Sequence, residues 1–194
     1  MTRSDDIYSL PADLPVPIDD GACDHLPGME LPDLTLPATS GRQVELRSLG
    51  SGWTVLYCYP RTGVPGQDLP GGFAAWDAIP GARGCTPQSC SYRDHHQELR
   101  DLGAQVFGLS TQPTDYQREM ALRLHLPFEV LSDAGLRFAT ALRLPTFTVA
   151  GFTLIQRLTL LTHGGRIETC FYPVFPSDSD APRVVEWLRM RKLQ

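Results

Sequence analysis

Five cysteines stand in the 194-residue chain, and two of them share one short segment, Gly84-Cys85-Thr86-Pro87-Gln88-Ser89-Cys90. If Thr86 and Pro87 open a helix, Cys85 sits at its N-terminal edge, where unpaired backbone N–H groups and the positive end of the helix dipole stabilise a thiolate. The thiolate is the nucleophilic form of cysteine, which makes Cys85 the candidate reactive thiol. Arg83, next but one in sequence, adds a cationic field if its side chain folds back. Cys90 lies five residues on, turned about 140° round an ideal helix, with its Cα roughly 8–9 Å from that of Cys85. A disulfide tolerates about 7 Å at most, so this pair closes only if the first helical turns unwind. On the residues alone two blander readings stay open. Cys90 is a small buried hydrophobe, or either thiol binds zinc with His95 or His96, against which the four-residue gap and the lack of a second Cys/His pair count. Cys58 and Cys170 fall within apolar runs and read as packing residues, while Cys23 reads as a free or intermolecular thiol.

The elements that must hold this segment are legible in the pattern around it. Trp53 to Tyr59 is a continuous apolar, β-branched and aromatic run closed by Pro60, the signature of a strand buried on both faces. Tyr92, His96, Leu99 and Leu102 recur at helical spacing before Gly103, predicting one helix from near Cys85 to near 102. A strand follows at 104–110. Thr114 and Gln117 then form a capping box for a helix ended by Leu126-Pro127. Asp133 to Leu142 predicts a short helix, 157–162 and 166–172 predict strands around His163-Gly164-Gly165, and Pro182 to Lys192 a closing helix. Upstream, Pro32 to Leu46 alternates with period two and breaks at Ser40-Gly41, a hairpin signal. The order implies an α/β fold with a central mixed sheet flanked by helices, over residues 31–194. Residues 1–30 lack either period and read as an extended arm. Residues 61–84 form an insertion loop far longer than the usual two to six residues between a strand and its helix.

Composition narrows the function classes. Seventeen Lys+Arg against 22 Asp+Glu give a net charge of −5, which implies no basic surface for nucleic acid. No run approaches the roughly 18 apolar residues of a membrane span, and no export signal precedes the first acidic residues, so a cytoplasmic protein with reduced thiols is expected.

Several ordered motifs resemble the peroxiredoxins, in particular their Q type, the bacterioferritin comigratory proteins, from about Leu31 to Leu193. They are Val55-Leu56-Tyr57-Cys58-Tyr59-Pro60, Gly84-Cys85-Thr86 with Cys90 and Arg93-Asp94, Phe128-Glu129-Val130-Leu131-Ser132-Asp133, and Arg157-Leu158-Thr159-Leu160-Leu161 before a Gly-Gly turn. The resemblance implies a thioredoxin-like fold that reduces hydroperoxides, with Cys85 peroxidatic and Cys90 resolving. It also implies that Arg157, otherwise a strand-edge surface arginine, aims its guanidinium at peroxide and thiolate. A thioredoxin-like or glutaredoxin-like dithiol would be the reductant, no metal, haem or flavin would be required, and a monomer or weak homodimer is expected. A thiol-disulfide reductase on the same fold would carry Cys-x-x-Cys, which this segment lacks. A redox-sensing interaction module, with the disulfide melting the helix, is the alternative outside enzymology.

One departure bears on the site. The resembled family keeps Pro-x-x-x-Thr-x-x-Cys, whose threonine hydroxyl bonds the thiolate and peroxide, but here Pro60 and Cys85 are far apart and Ala82 stands three before Cys85. Thr62 restores the hydroxyl if the insertion loops out between Thr62 and Gly81, with Thr86 the nearer alternative, already engaged in starting the helix. Phe73, Trp76 and Ile79, at three-residue spacing, are then expected to cover the thiol pocket as a lid, to cover another face, or to form a partner surface.

Overall fold

A computed structural model describes residues 10–192. In chain order it contains the hairpin β1 (Thr35–Pro37) and β2 (Gln43–Glu45), β3 (Trp53–Cys58), α1 (Phe73–Asp77), α2 (Cys85–Asp94), α3 (His96–Asp101), β4 (Ala104–Ser110), α4 (Thr114–Arg123), β5 (Glu129–Ser132), α5 (Arg137–Ala141), the hairpin β6 (Thr146–Val149) and β7 (Phe152–Ile155), β8 (Leu158–His163), β9 (Arg166–Phe171) and α6 (Asp180–Lys192). Five strands make the central sheet in the order β5-β4-β3-β8-β9. β3, β4 and β5 run parallel, and β8 and β9 pair antiparallel, so the sheet is mixed.

Side chains alternate across a strand, and β3 shows the consequence. Val55 and Tyr57, with Tyr59 beyond, join a core with α2, α4 and α6, including Tyr92, Met120, Val184 and Leu188. Leu56 and Cys58 face the opposite core, made with Leu36, Val44, Phe138 and, from the preceding segment, Cys23, Leu26 and Leu31. That preceding segment runs antiparallel to β9, with Gly28 N–H donating to Ile167 O at 2.7 Å and Leu31 N–H to Gly165 O at 2.8 Å. Cys23 is thereby only 5% exposed, which corrects its reading as an intermolecular thiol. Residues 1–9 of the expected arm lie outside the described residues.

Several boundaries differ from expectation for visible reasons. The single helix expected from Cys85 to 102 is two, because His95 leaves helical geometry at φ −95°, ψ 4° and its ring nitrogen Nδ1 lies 2.9 Å from Ser91 O. Thr114 is not a capping residue: it is already helical, and Gln117 turns inward to donate to Ser110 Oγ and Leu131 O, both at 2.9 Å. Asp133 precedes α5 instead of belonging to it, its carboxylate accepting from the Phe138 and Ala139 N–H groups at 3.0 and 2.9 Å. β5 and the β6–β7 hairpin are additional to the sequence reading. So is α1, inside the insertion, where Trp76 and Leu69 build a third small core with Val149 and Leu154 of the hairpin.

Candidate active site

Cys85 is the first residue of α2, reached directly from the buried strand β3 by way of the insertion. Gly84 before it adopts φ 103°, and a Cβ there would stand 2.3 Å from Ser177 Oγ, so only glycine lets the chain enter the helix at this point. The thiol is 3% exposed. Arg157, on the residue preceding β8, donates from Nη2 to Cys85 Sγ at 3.2 Å. The same nitrogen donates to Arg83 O at 3.0 Å and reaches Gly81 O at 3.3 Å, so the loop carbonyls fix the guanidinium against the sulfur. A planar cation held beside a nucleophilic sulfur stabilises negative charge on that sulfur and on an oxygen bound next to it.

Arg157 is fixed from its other edge as well. Its Nη1 donates to Gln88 Oε1, and Gln88 Nε2 donates to Asp180 Oδ2 at 2.7 Å. Asp180, the first residue of α6, accepts further bonds on that oxygen from Tyr92 OH at 2.9 Å and Thr159 Oγ1 at 2.7 Å. Burial holds its carboxyl above the ordinary range in spite of these three donors. Gln88 follows Cys85 by three residues, the spacing that places two side chains on one helix face, and that signal was available in the sequence. Asp180 carried none, being 92 residues from Gln88.

Cys90 lies on the same helix, half-buried, and its thiol, like that of Cys85, is free. Burial raises the Cys90 thiol above its usual value, with Arg93 opposing. The other three cysteines gather on the far side of the sheet. There burial pushes the Cys58 thiol well up, and hydrogen bonding with Cys23 followed by burial does the same for Cys170. Among the described residues no three His, Cys, Asp or Glu side chains converge as a metal-binding set.

Thr62 lines the same cavity as Cys85. Its N–H and its hydroxyl both donate to Gln112 Oε1, at 3.0 and 3.1 Å, while Gln112 Nε2 and Tyr116 OH donate back to Thr62 O at 3.3 and 3.1 Å. Thr86, buried at the start of α2, lines the cavity too. Arg83 does not fold onto the thiol: its guanidinium forms a buried ion pair with Asp77 at 2.6 Å and lies over the Phe73 ring. Arg83 still lines the cavity, and a second cation at its wall is Arg61, stacked over Tyr116 and Phe152, which the sequence marked only as the residue after Pro60. The space beside the thiol measures about 20 Å³ within a partly open pocket of about 300 Å³, and Leu69 and Trp76 of the insertion line it together with the thiol loop. Phe73 and Ile79 pack behind them.

A family model described as Redoxin matches residues 26–186. Peroxiredoxin Q, chloroplastic, of Arabidopsis thaliana is 31% identical over 108 residues, which is 56% of this chain and 42% of that protein. Peroxiredoxin Bcp of Bacillus subtilis (strain 168) is 28% identical over 114 residues, 59% of this chain and 61% of that one. The chain thus spans about half the length of the curated relatives it matches. Among solved structures, that of peroxidoxin BcpB from Mycobacterium tuberculosis superposes with a TM-score of 0.68 at 24% identity, covering 86% of this chain and 98% of the other, a likeness of fold.

Proposed function

The chain belongs to the redoxin family of the thioredoxin-like superfamily, with Q-type peroxiredoxins among its relatives, and from this we propose that it is a thiol peroxidase acting on hydroperoxides. The observation that carries the reading is the 3.2 Å contact between the Arg157 guanidinium and Cys85 Sγ at the start of α2. The Cys85 thiolate attacks the terminal oxygen of ROOH, the O–O bond breaks, and the departing RO⁻ leaves as ROH after taking a proton. Cys85 becomes a sulfenic acid. Arg157 offsets the charge that develops on the breaking bond, and Thr62, across the cavity, is the proposed hydroxyl contact to the peroxide, releasing its bond to Gln112 as it turns. The Cys90 thiol then attacks the sulfenic sulfur, water leaves, and a Cys85–Cys90 disulfide forms. Ideal helix geometry separates the two Cα atoms by roughly 8–9 Å, more than a disulfide spans, so the first turns of α2 unwind in this step. A thioredoxin-like or glutaredoxin-like dithiol restores both thiols by exchange. The proposal includes a cytoplasmic monomer or weak homodimer that uses neither metal nor organic cofactor.

Intact mass after one equivalent of hydrogen peroxide tests this. The wild type is expected to lose two hydrogens, Cys90→Ser to gain one oxygen, and Cys85→Ser to stay unchanged. A wild type that also stops at added oxygen would assign resolution to an external thiol. An unreactive wild type would overturn the peroxidase reading.

A further inference from the structure

We propose that the 61–84 insertion makes this site selective for hydrogen peroxide over bulky organic hydroperoxides, with Trp76 and Leu69 setting the size limit. The inference rests on the thiol peroxidase reading and names the substrate class within it. The space beside Cys85 is about 20 Å³, the narrow part of a pocket of about 300 Å³ that is partly open to solvent. A buried water needs about 10–15 Å³ of such space, so the narrow part beside the sulfur is the size of one or two oxygen atoms, and a tertiary alkyl or aryl group has to lie in the partly open mouth against Leu69 and Trp76.

The wall that imposes this size is built, not draped. Trp76 is 1% exposed, its indole N–H donates to Pro70 O at 2.8 Å, and its ring sits in the small core with Leu69, Val149 and Leu154. Asp77, the next residue, is clamped by the buried Arg83 ion pair at 2.6 Å, two residues before Cys85. At the other end, Thr62 is held by Gln112 and Tyr116. Both stems of the insertion are therefore tied to the scaffold beside the thiol. A bulky ROOH meets Leu69 and Trp76 as its peroxide end approaches the sulfur, and fits closely only with their displacement. In HOOH the group beyond the reacting oxygen is a hydroxyl, which fits without that displacement.

The test is kcat/KM for hydrogen peroxide, tert-butyl hydroperoxide and cumene hydroperoxide, with a dithiol reductant, in the wild type, Leu69→Ala and Trp76→Ala. For the wild type, rates are expected to fall with the bulk of the alkyl group, by about 10–200-fold between hydrogen peroxide and cumene hydroperoxide. In both variants the ratio of cumene hydroperoxide to hydrogen peroxide is expected to rise about tenfold, and Leu69→Ala reports on the wall even where removal of the larger Trp76 side chain prevents folding. Equal rates on all three peroxides in the wild type, or a ratio unmoved in a folded variant, would overturn the size limit while leaving the peroxidase standing. No turnover of any peroxide would overturn both.

Discussion

At the scale of residues, the site is a short relay from α6 to the sulfur: Asp180 to Gln88, Gln88 to Arg157, Arg157 to Cys85. The two residues at the sulfur end of this relay were legible in the sequence. Cys85 was marked by the helix-start segment and Arg157 by the run RLTLL, whose resemblance supplied what composition did not. The middle was only partly so, since a polar network joined across the fold leaves no local pattern. Asp180 has one oxygen bonded three times, and its Oδ1 is buried without a partner. Burial raises this carboxyl in the folded protein, so between the ordinary carboxyl range and the folded value the native state holds a proton that the unfolded chain has lost. Stability from this group is therefore present below the unfolded value and declines as pH rises through the folded one. We predict that the difference in unfolding free energy between wild type and Asp180→Asn, from urea titrations at a series of pH values from about 4 upward, moves against the wild type as pH rises. A flat difference would mean that the carboxyl titrates as an exposed one does.

The scale of elements is set by α2, which carries both thiols and must open for them to meet. It is held shut by named contacts: Gln88 and Tyr92 to Asp180, and the Ser91 hydroxyl to Asp178 O at 2.7 Å. Its start was readable from Thr86-Pro87, whereas its end at His95 was not, because the apolar spacing runs on through α3 and the break is a side-chain contact with Ser91 O. The β6–β7 hairpin escaped for a related reason. Its two-residue turn is Ala150-Gly151, with both φ values positive at 49° and 80°, and alanine does not advertise that geometry as asparagine would. Oxidation of the dithiol should show in two phases, sulfenic acid formation and then closure, and Trp76 beside the cavity gives a fluorescence signal for both. Because burial raises the Cys90 thiol, its reactive thiolate is scarcer near neutrality than that of an ordinary cysteine. We predict that the second phase accelerates as pH rises beyond the usual thiol range, and that Ser91→Ala speeds it by about 2–10-fold by removing one hydrogen bond that keeps the helix closed. A second phase indifferent to both would place the slow event elsewhere than in opening α2.

For the whole molecule, the question is what supports a sheet whose β9 edge would otherwise be open. The segment before β1 lies along that edge and sends Cys23, Leu26 and Leu31 into the core on the face opposite the candidate active site. No period was readable there, because Cys23 and Leu26 sit in successive turns, Asp24 N–H to Gly21 O and Leu26 N–H to Cys23 O, both 3.1 Å, before Leu31 joins β9 through Gly165 O. The central strands, with their uninterrupted apolar runs, were readable for the opposite reason. Leu26 is fully buried, so truncation leaves a cavity between this segment and the sheet. We predict that Leu26→Ala lowers stability by about 2–5 kcal/mol in urea unfolding, the cost of an unrelaxed leucine cavity. The proposed active site lies across the sheet, so the folded variant should retain its rate of reaction with hydrogen peroxide, since Cys85 packs in the other core. A cost below about 1 kcal/mol would show that the segment collapses onto the gap and is carried by the domain, not part of what holds it together.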